Sequence, residues 1–311
     1  MVNILFADRP EMWSDYAPHL RRALDAEGLT HAVIAPEMEP QDVDYIVYAP
    51  SSFVQDFRPY TRLKGVMNLW AGVEDVIGNE TLTAPLMRMV DPGLTDGMVQ
   101  WVLAHTLRHH MDIDTHIHGQ DGEWRSGRAM TPLMSRRKVG ILGLGELGGA
   151  CGAALAGLGF QVMGWSRSPK NVPGVTNYTG EDGLNEVLSN AEILILLTPL
   201  TSKTENLLNA ERLSRMPKGA FVLNPGRGGL VDDAALLAAL DSGAIAHATL
   251  DTFRVEPLPP EHAYWSHPRV TVTPHIASET RSDTASEQIA ANIARCERGE
   301  PFLYVVDRTD R

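Results

Sequence analysis

The first third of the chain alternates short apolar runs with longer amphipathic segments. Within residues 13–26, apolar side chains recur at Trp13, Ala17, Leu20 and Leu24, a spacing that predicts a helix. Strands that alternate with helices predict parallel βαβ units. The apolar runs that we interpret as strands of this first series are Ile4–Ala7, His31–Ile34, Tyr45–Tyr48, Val66–Leu69 and Leu86–Met89.

A long helical pattern over residues 95–110 separates this series from a second one. The pattern predicts strands at 139–142, 160–165, 193–197, 220–223, 247–250 and 270–272, and helices at 147–158, 183–188 and 233–240. Two such series predict two α/β domains, each Rossmann-like with a doubly wound parallel sheet, and a cleft between them. A last helix, about residues 280–298, has no strand after it, so the pattern alone leaves open which domain it packs on.

A glycine-rich turn is the strongest local motif. The sequence GLGELG at residues 143–148 directly follows a predicted strand and opens a helix of small residues, which is the dinucleotide-binding arrangement. Gly143 allows the tight turn, Gly145 lets the backbone approach a pyrophosphate, and Gly148 lets the helix pack closely. The alternative is a turn that only permits packing, but its position between strand and helix favours a cofactor site.

The second strand of this unit ends in a basic loop. An NAD-type site places a carboxylate there to hold the ribose 2′-OH, whereas residues 149–180 contain neither Asp nor Glu. Ser166, Arg167 and Lys170 occur instead where a 2′-phosphate would lie, and a guanidinium binds phosphate through two hydrogen bonds. An ordinary solvated basic loop is the alternative. The sequence therefore predicts NADP(H).

Three further segments follow predicted strands, where ligands of open α/β sheets bind. They read LNPGRG at 223–228, LDTFRVEPLP at 250–259 and TPHIA at 273–277. Their order after the glycine motif resembles that of the D-2-hydroxyacid dehydrogenases. The segments LWAGVEDV at 69–76 and GWSRSPK at 164–170 are most similar to the glyoxylate/hydroxypyruvate reductase branch of that family.

The resemblance implies a domain organisation and an assembly. A substrate domain is expected from both chain ends, residues 1–97 and 283–311. An NADP(H)-binding Rossmann domain, with a dimerisation helix and arm, is expected over residues 98–282. The resemblance also implies a homodimer.

Three residues of the strand-end segments suit the reduction of a 2-keto acid. His275 is the predicted general acid, because an imidazole titrates near neutral pH. Glu256 would bind the other ring nitrogen and favour the protonated form. Arg227 would bind the substrate carboxylate and polarise the keto oxygen. Each residue alone would more often be structural, so the prediction depends on their joint order.

Other site residues are implied by the resemblance. The loop of Trp70, Ala71, Gly72 and Val73 resembles the family's substrate loop, in which backbone N–H groups bind the carboxylate. Asp251 matches the residue that faces the nicotinamide carboxamide. The residues predicted to contact substrate are Trp70, Ala71, Gly72, Val73, Arg227 and His275. The residues predicted to contact the cofactor are Gly143, Gly145, Glu146, Leu147, Gly148, Ser166, Arg167, Lys170, Thr198, Pro199, Asn224, Pro225, Asp251 and His275.

Composition narrows the possible partners. Lys and Arg number 27 and Asp and Glu 39, which gives a net charge of −12. Such acidity excludes non-specific nucleic-acid binding and disfavours an anionic membrane surface. The only two cysteines, Cys151 and Cys296, lie far apart, which is typical of a reducing compartment and predicts a cytoplasmic protein. Any anionic ligand must then bind through local positive groups.

Five histidines lie close together in sequence, at 105, 109, 110, 116 and 118. His105 and His109 are spaced to share one helix face, as in some metal sites. No HExxH motif and no cysteine completes a ligand set, so we interpret the cluster as structural and predict no metal.

The sequence therefore predicts NADPH-dependent reduction of small 2-keto acids, with glyoxylate and hydroxypyruvate as the best candidates. Two alternatives stay open. One is a reductase of a bulkier 2-keto acid on the same fold, and the other is a regulatory module that senses a dinucleotide without catalysis.

Overall fold

A computed structural model describes residues 2–124 and 131–308, so the end of the predicted dimer arm, residues 125–128, lies outside the described residues. The strands of these residues are β1 (Asn3–Ala7), β2 (Val33–Ala35), β3 (Tyr45–Tyr48), β4 (Gly65–Asn68), β5 (Leu86–Met87), β6 (Lys138–Leu142), β7 (Gln161–Trp165), β8 (Val175–Tyr178), β9 (Ile193–Leu196), β10 (Ala220–Asn224), β11 (Ile245–Leu250) and β12 (Val270–Val272). The helices are α1 (Trp13–Ala26), α2 (Glu74–Ile77), α3 (Pro92–His110), α4 (Ile113–His118), α5 (Glu146–Gly157), α6 (Gly180–Asn190), α7 (Ala210–Arg215), α8 (Asp233–Asp241) and α9 (Ser282–Glu297).

The first of two compact units comprises Met1–Leu94 and Glu279–Arg311. Its parallel sheet has the strand order β2-β1-β3-β4-β5. All residues of β3 and β4 are buried, because both strands lie inside a sheet that is covered on both faces. The last helix α9 packs on α1, and its Ile289 and Ile293 share an apolar core with Leu20 and Leu24.

The second unit is Thr95–Ser278, with the parallel strand order β12-β11-β10-β9-β6-β7-β8. The chain runs outward from β6 through β7 to β8 and then returns to β9 on the other side of β6. The carboxyl ends of β6 and β9 therefore flank the point where the strand order reverses, which is where ligands of doubly wound sheets bind. Apolar cores lie on both faces of this sheet.

The predicted class, two α/β domains with parallel sheets, is confirmed. The structure divides the chain after Leu94 and after Ser278, whereas the expected boundaries fell at 97/98 and 282/283. The pattern missed strand β8 and the helices α2, α4 and α7. These elements are short, and β8 lies at the sheet edge with its residues half-buried or exposed, so it lacks a run of apolar residues.

The histidines of α3 are packing residues of the second unit. His109, only 4% exposed, stacks on Phe221 and forms a hydrogen bond through Nε2 with Thr249 Oγ1 at 2.8 Å. His110 packs edge-on against Phe160. Among the described residues, no three His, Cys, Asp or Glu side chains come together as a metal site.

The two cysteines are free, with Cys151 buried and Cys296 half-buried. None of the helices in the described ranges has the length and apolar character needed to span a membrane.

Candidate active site

The glycine turn lies at the reversal point of the seven-stranded sheet, between β6 and α5. Gly143 has φ +105°, and a Cβ there would lie 2.5–2.6 Å from the backbone of Leu197 and Thr198. A Cβ on Gly148 would lie 1.8 Å from the Gly143 carbonyl oxygen. Gly145, by contrast, is exposed and has open space beside its Cα. The turn is thus closed towards the protein and open at the start of α5, as a bound phosphate requires.

The segment after β9 contacts this turn and carries a buried hydroxyl. Thr198 is 6% exposed, and its Oγ1 is one of the buried polar atoms that have no hydrogen-bond partner among the described residues. Pro199, next to it, is exposed. A buried unpaired hydroxyl beside the glycine turn fits a site that a polar ligand completes. Glu146 is exposed in the first turn of α5, and Leu147 packs against the core.

The turn after β10 presents Arg227 and is held by a buried asparagine. Asn224, 1% exposed, donates from Nδ2 to the Arg227 carbonyl at 2.9 Å and accepts at Oδ1 from the Gly226 N–H at 3.2 Å. Pro225 is buried inside this turn. The Arg227 guanidinium donates to the Gly226 carbonyl at 2.7 Å. The hydrogen bonds of Asn224 thus give it a bracing function, and its cofactor contact stays a prediction.

Asp251, at the end of β11, organises the backbone around His275. Its fully buried carboxylate accepts hydrogen bonds from Thr273 Oγ1 at 2.6 Å, the Ile276 N–H at 3.0 Å and the Ala277 N–H at 2.9 Å. His275 between them has φ +54°, a left-handed conformation that costs a non-glycine residue about 1–2 kcal/mol. No sequence motif indicated this network, because it depends on the folded backbone. The predicted contact of Asp251 with a nicotinamide stays a prediction.

Glu256 and His275 form a hydrogen-bonded pair. His275 Nδ1 lies 2.7 Å from Glu256 Oε2, and Glu256 Oε1 accepts the Phe253 N–H at 2.8 Å. The hydrogen bond that His275 donates to Glu256 raises the pKa of His275 despite partial burial. Burial raises the pKa of Glu256, but hydrogen bonds from His275 and Phe253 outweigh it and the net pKa is lowered. The pair therefore favours an imidazolium beside a carboxylate.

Arg227 belongs to the same cluster of charges. Its positive charge lowers the pKa of both Glu256 and His275. The turn that carries it packs against the segment before Glu256, because a Cβ on Gly228 would lie 2.0–2.4 Å from the backbone of residues 253–254. The structure thus brings the three predicted catalytic residues together at the carboxyl edge of the second unit's sheet. One edge then carries a protonatable imidazole, its carboxylate partner and a guanidinium.

The predicted substrate loop lies in the first unit, between β4 and α2. Buried Asn68 donates from Nδ2 to the Trp70 carbonyl at 2.7 Å and to the Gly72 carbonyl at 2.8 Å. Thr280 Oγ1 donates to the Leu69 carbonyl at 2.6 Å. Asn68 and Thr280 were not foreseen, because only tertiary contacts bring them to the loop. Within residues 2–124 and 131–308, the N–H groups of residues 70–73 donate no hydrogen bond, as an anion-binding loop requires.

The basic loop after β7 lies beside β8. Ser166 is buried at its start, and Arg167 and Lys170 are exposed. Asn177 of β8 contacts both ends of this loop. Asn177 was not predicted as a site residue, because β8 was not predicted as a strand. The one available signal was an asparagine a few residues beyond the basic loop.

Comparisons with known proteins show the family of the chain. The family model for the D-isomer specific 2-hydroxyacid dehydrogenase, NAD binding domain, matches residues 100–277. The chain is 40% identical over 258 residues to a glyoxylate/hydroxypyruvate reductase A of Serratia proteamaculans, which covers 79% of this chain and 80% of that relative.

Two solved structures are similar over nearly the whole chain. One is a D-isomer specific 2-hydroxyacid dehydrogenase from Xanthobacter autotrophicus Py2 in complex with NADPH and MES, with TM-score 0.91, 39% identity and coverage of 99% of this chain and 98% of that one. The other is an NADPH-dependent glyoxylate/hydroxypyruvate reductase from Sinorhizobium meliloti in complex with NADP and sulfate, with TM-score 0.84, 32% identity and the same coverage.

The chain therefore belongs to the D-isomer specific 2-hydroxyacid dehydrogenase family and carries that family's NAD-binding domain. The resemblance that the sequence motifs indicated is thereby confirmed.

Proposed function

We propose that this protein reduces small 2-keto acids, glyoxylate and hydroxypyruvate first among them, to 2-hydroxy acids with NADPH. The observation that carries the proposal is the 2.7 Å pair of His275 and Glu256 on the sheet edge that also carries Arg227. This combination matches the needs of a carbonyl reduction, which are a proton donor, a means of keeping it protonated, and a cation. The named relatives are glyoxylate/hydroxypyruvate reductases.

In this mechanism His275 is the general acid. Glu256 keeps the imidazole protonated and oriented through Nδ1, which leaves Nε2 to donate its proton to the keto oxygen as negative charge develops there. Arg227 binds the substrate carboxylate and polarises the carbonyl. In the first unit, the N–H groups of residues 70–73 donate no hydrogen bond within the described part of the chain, which suits a loop that binds a carboxylate. NADPH, when bound, supplies the hydride.

The residues of the second unit fit an NADP(H) cofactor. The open start of α5 at Gly145 suits the pyrophosphate, and the unpaired Thr198 hydroxyl suits a polar group passing the glycine turn. Arg167 and Lys170 are exposed in a loop without a carboxylate, which favours a 2′-phosphate. The two similar solved structures were obtained with NADPH or NADP.

Assembly and location stay predictions. The segment that the resemblance assigns to a dimer arm exposes large apolar side chains, with Ile117 58% and Trp124 92% exposed. Exposed apolar groups of this kind support a homodimer. Light scattering coupled to size exclusion tests it, and a monomer at micromolar concentration would contradict it. A cytoplasmic location likewise stays a prediction.

A keto-acid panel tests the proposed function. Glyoxylate, hydroxypyruvate, pyruvate and phenylpyruvate are each assayed with NADPH and with NADH, and nucleotide oxidation is followed by absorbance. We expect the highest kcat/KM for glyoxylate or hydroxypyruvate with NADPH. A preference for phenylpyruvate would favour a bulkier substrate instead. Oxidation of neither nucleotide with any keto acid would overturn the proposal and favour the regulatory module.

A further inference from the structure

The basic loop after β7 is held in place by the neighbouring strand. In the register of the two strands, Gly164 of β7 pairs with Asn177 of β8, and Trp165 pairs with Tyr178. The pairing continues past the end of β7, because the Ser166 N–H donates to the Tyr178 carbonyl at 3.1 Å. Asn177 therefore lies directly beside the start of the loop.

The carboxamide of Asn177 connects both ends of residues 166–170. Its Oδ1 accepts the backbone N–H of Lys170 at 2.7 Å. Its Nδ2 donates to Ser166 Oγ at 3.0 Å, and more weakly to the carbonyls of Tyr178 at 3.1 Å and Gly164 at 3.3 Å. One half-buried side chain thus closes the loop, since it uses its acceptor at one end and its donors at the other.

The Ser166 hydroxyl is part of this closure. It is 7% exposed, accepts from Asn177 and donates its proton to the Ser168 carbonyl at 2.8 Å. A phosphate accepts hydrogen bonds, so it needs donors, and the only proton of this hydroxyl is already used within the loop. Binding of a 2′-phosphate then depends on the exposed side chains of Arg167 and Lys170, and on the loop conformation that presents them.

We propose that Asn177 is the positioning residue for the 2′-phosphate of NADPH: it fixes residues 166–170 in the conformation that presents Arg167 and Lys170. The inference rests on the proposed NADP(H) dependence. A preformed loop binds more tightly because less ordering is needed when the ligand arrives. The loop follows β7 and lies apart in sequence from His275 and Glu256. Loss of the Asn177 side chain should therefore weaken the binding of nucleotides that carry a 2′-phosphate and leave kcat unchanged.

Two substitutions and one control test this. Asn177→Ala should raise the KM for NADPH about tenfold, as expected for two or so lost hydrogen bonds. The KM for NADH and both kcat values should stay within about twofold. Asn177→Asp keeps the acceptor for the Lys170 N–H but places a carboxylate beside Ser166. It should therefore raise the KM for NADPH further and leave the KM for NADH unchanged. Thr176→Ala, on an exposed residue of the same strand, should change neither KM.

Binding without turnover gives a second readout. Isothermal titration with adenosine 2′,5′-bisphosphate and with 5′-AMP compares ligands that differ by the 2′-phosphate. Asn177→Ala should lower the affinity for adenosine 2′,5′-bisphosphate about tenfold and leave the affinity for 5′-AMP unchanged. If Asn177→Ala weakened the binding of both ligands equally, or raised the KM of both coenzymes equally, Asn177 would only support the fold and the inference would be overturned. Unchanged affinities for both ligands and unchanged KM values for both coenzymes would overturn it as well.

Arg167→Ala separates this inference from the proposed function. If the wild type prefers NADPH and Arg167→Ala removes that preference while Asn177→Ala keeps it, the inference fails and NADPH dependence stands. If the wild type oxidises NADH as readily as NADPH, both fail. If Asn177→Ala does not yield folded protein, Asn177→Ser carries the same test, because serine keeps a polar side chain but is too short to bond both Ser166 and the Lys170 N–H.

Discussion

At the residue scale, the hydrogen-bonded pair of His275 and Glu256 depends on neighbours that hold the backbone around it. Asp251 fixes the backbone on both sides of His275 through three hydrogen bonds, and Asn224 fixes that of Arg227. The sequence motifs contained Arg227, Glu256 and His275, and the structure brings these residues to one sheet edge. Asp251 and Asn224 were predicted as cofactor contacts, but their role in holding this backbone was not predictable. Such hydrogen bonds depend on where the folded chain places its backbone N–H and carbonyl groups, and a sequence motif does not give these positions.

The pair also predicts a pH profile. Because Glu256 raises the pKa of His275, the protonated acid persists above the usual range of histidine. The kcat/KM for keto-acid reduction should be constant at low pH and fall as pH rises through that raised pKa. In Glu256→Gln the charge is gone, so the fall should move to lower pH and kcat should drop by about 10²–10⁴-fold.

The measurement is kcat/KM for glyoxylate against pH in both proteins. Glu261→Gln is the matched control, because Glu261 is exposed in the same region and should leave the profile where it was. A profile that stays in place in Glu256→Gln would contradict the assignment of Glu256 as the partner that keeps His275 protonated.

At the element scale, sequence prediction succeeded where a strand is buried and failed at an edge. The predicted helix at residues 13–26 and the predicted strand at residues 45–48 match α1 and β3 in the structure, because their apolar patterns reflect burial. Edge strand β8 has the sequence VTNY, and the six-residue helix α7 has too few turns to show a period. The packing of α9 on α1 needed the structure, since no local signal distinguishes two similar α/β units.

The turn between β6 and α5 gives a stability prediction. A methyl group on Gly148 would meet the Gly143 carbonyl at 1.8 Å, a contact that backbone must move to relieve. Gly148→Ala should therefore lower the free energy of unfolding by about 1–3 kcal/mol, as overpacking does. Gly149→Ala on the same helix is the control, because its nearest neighbour lies at 3.6 Å and alanine favours helix by about 0.5–1 kcal/mol.

Urea unfolding followed by circular dichroism measures both variants. Equal stability of Gly148→Ala and the wild type would mean that the turn adapts to the extra methyl group. The account of why glycine is needed there would then be wrong.

At the scale of the whole molecule, the net charge of −12 does not set the local electrostatics. Surface charges are screened over about 10 Å at moderate ionic strength, whereas the positive charge of Arg227 lowers the pKa of both His275 and Glu256. The acidity argues against nucleic acid as a partner and leaves an anionic cofactor open. Composition thus limited the predicted class of ligand, and the strand-end motifs predicted the site.

Buried histidines predict a loss of stability in acid. Burial lowers the pKa of His109 to about 3 and of His247 to about 4. The positive charge of Arg108 adds to both shifts, repulsion from His247 adds to that of His109, and Asp114 opposes both. The unfolded chain takes up protons below about pH 6.5, while the folded chain does not. The contribution of these histidines to the free energy of unfolding is therefore fully present above about pH 6.5. Between about pH 6.5 and pH 4, the free energy of unfolding falls by up to about 1.4 kcal/mol per pH unit for each histidine.

His109→Gln tests this, because the amide does not titrate. The fall in unfolding temperature between pH 7.5 and pH 5 should be smaller in the variant than in the wild type, whatever the starting stability. His118→Gln, on an exposed histidine, should keep the wild-type fall. An equal fall in all three proteins would show that other groups govern the acid transition.

The proposed reaction is a hydride transfer to a 2-keto acid with His275 as the acid. It is tested with NADPH that carries deuterium on the transferred position, with hydroxypyruvate as substrate and mass spectrometry and chiral analysis of the product. We expect a D-2-hydroxy acid with deuterium at C2. We also expect that His275→Ala forms at least 10²-fold less product while it still binds NADPH. Product without deuterium, or turnover by His275→Ala at the wild-type rate, would contradict the proposed reaction.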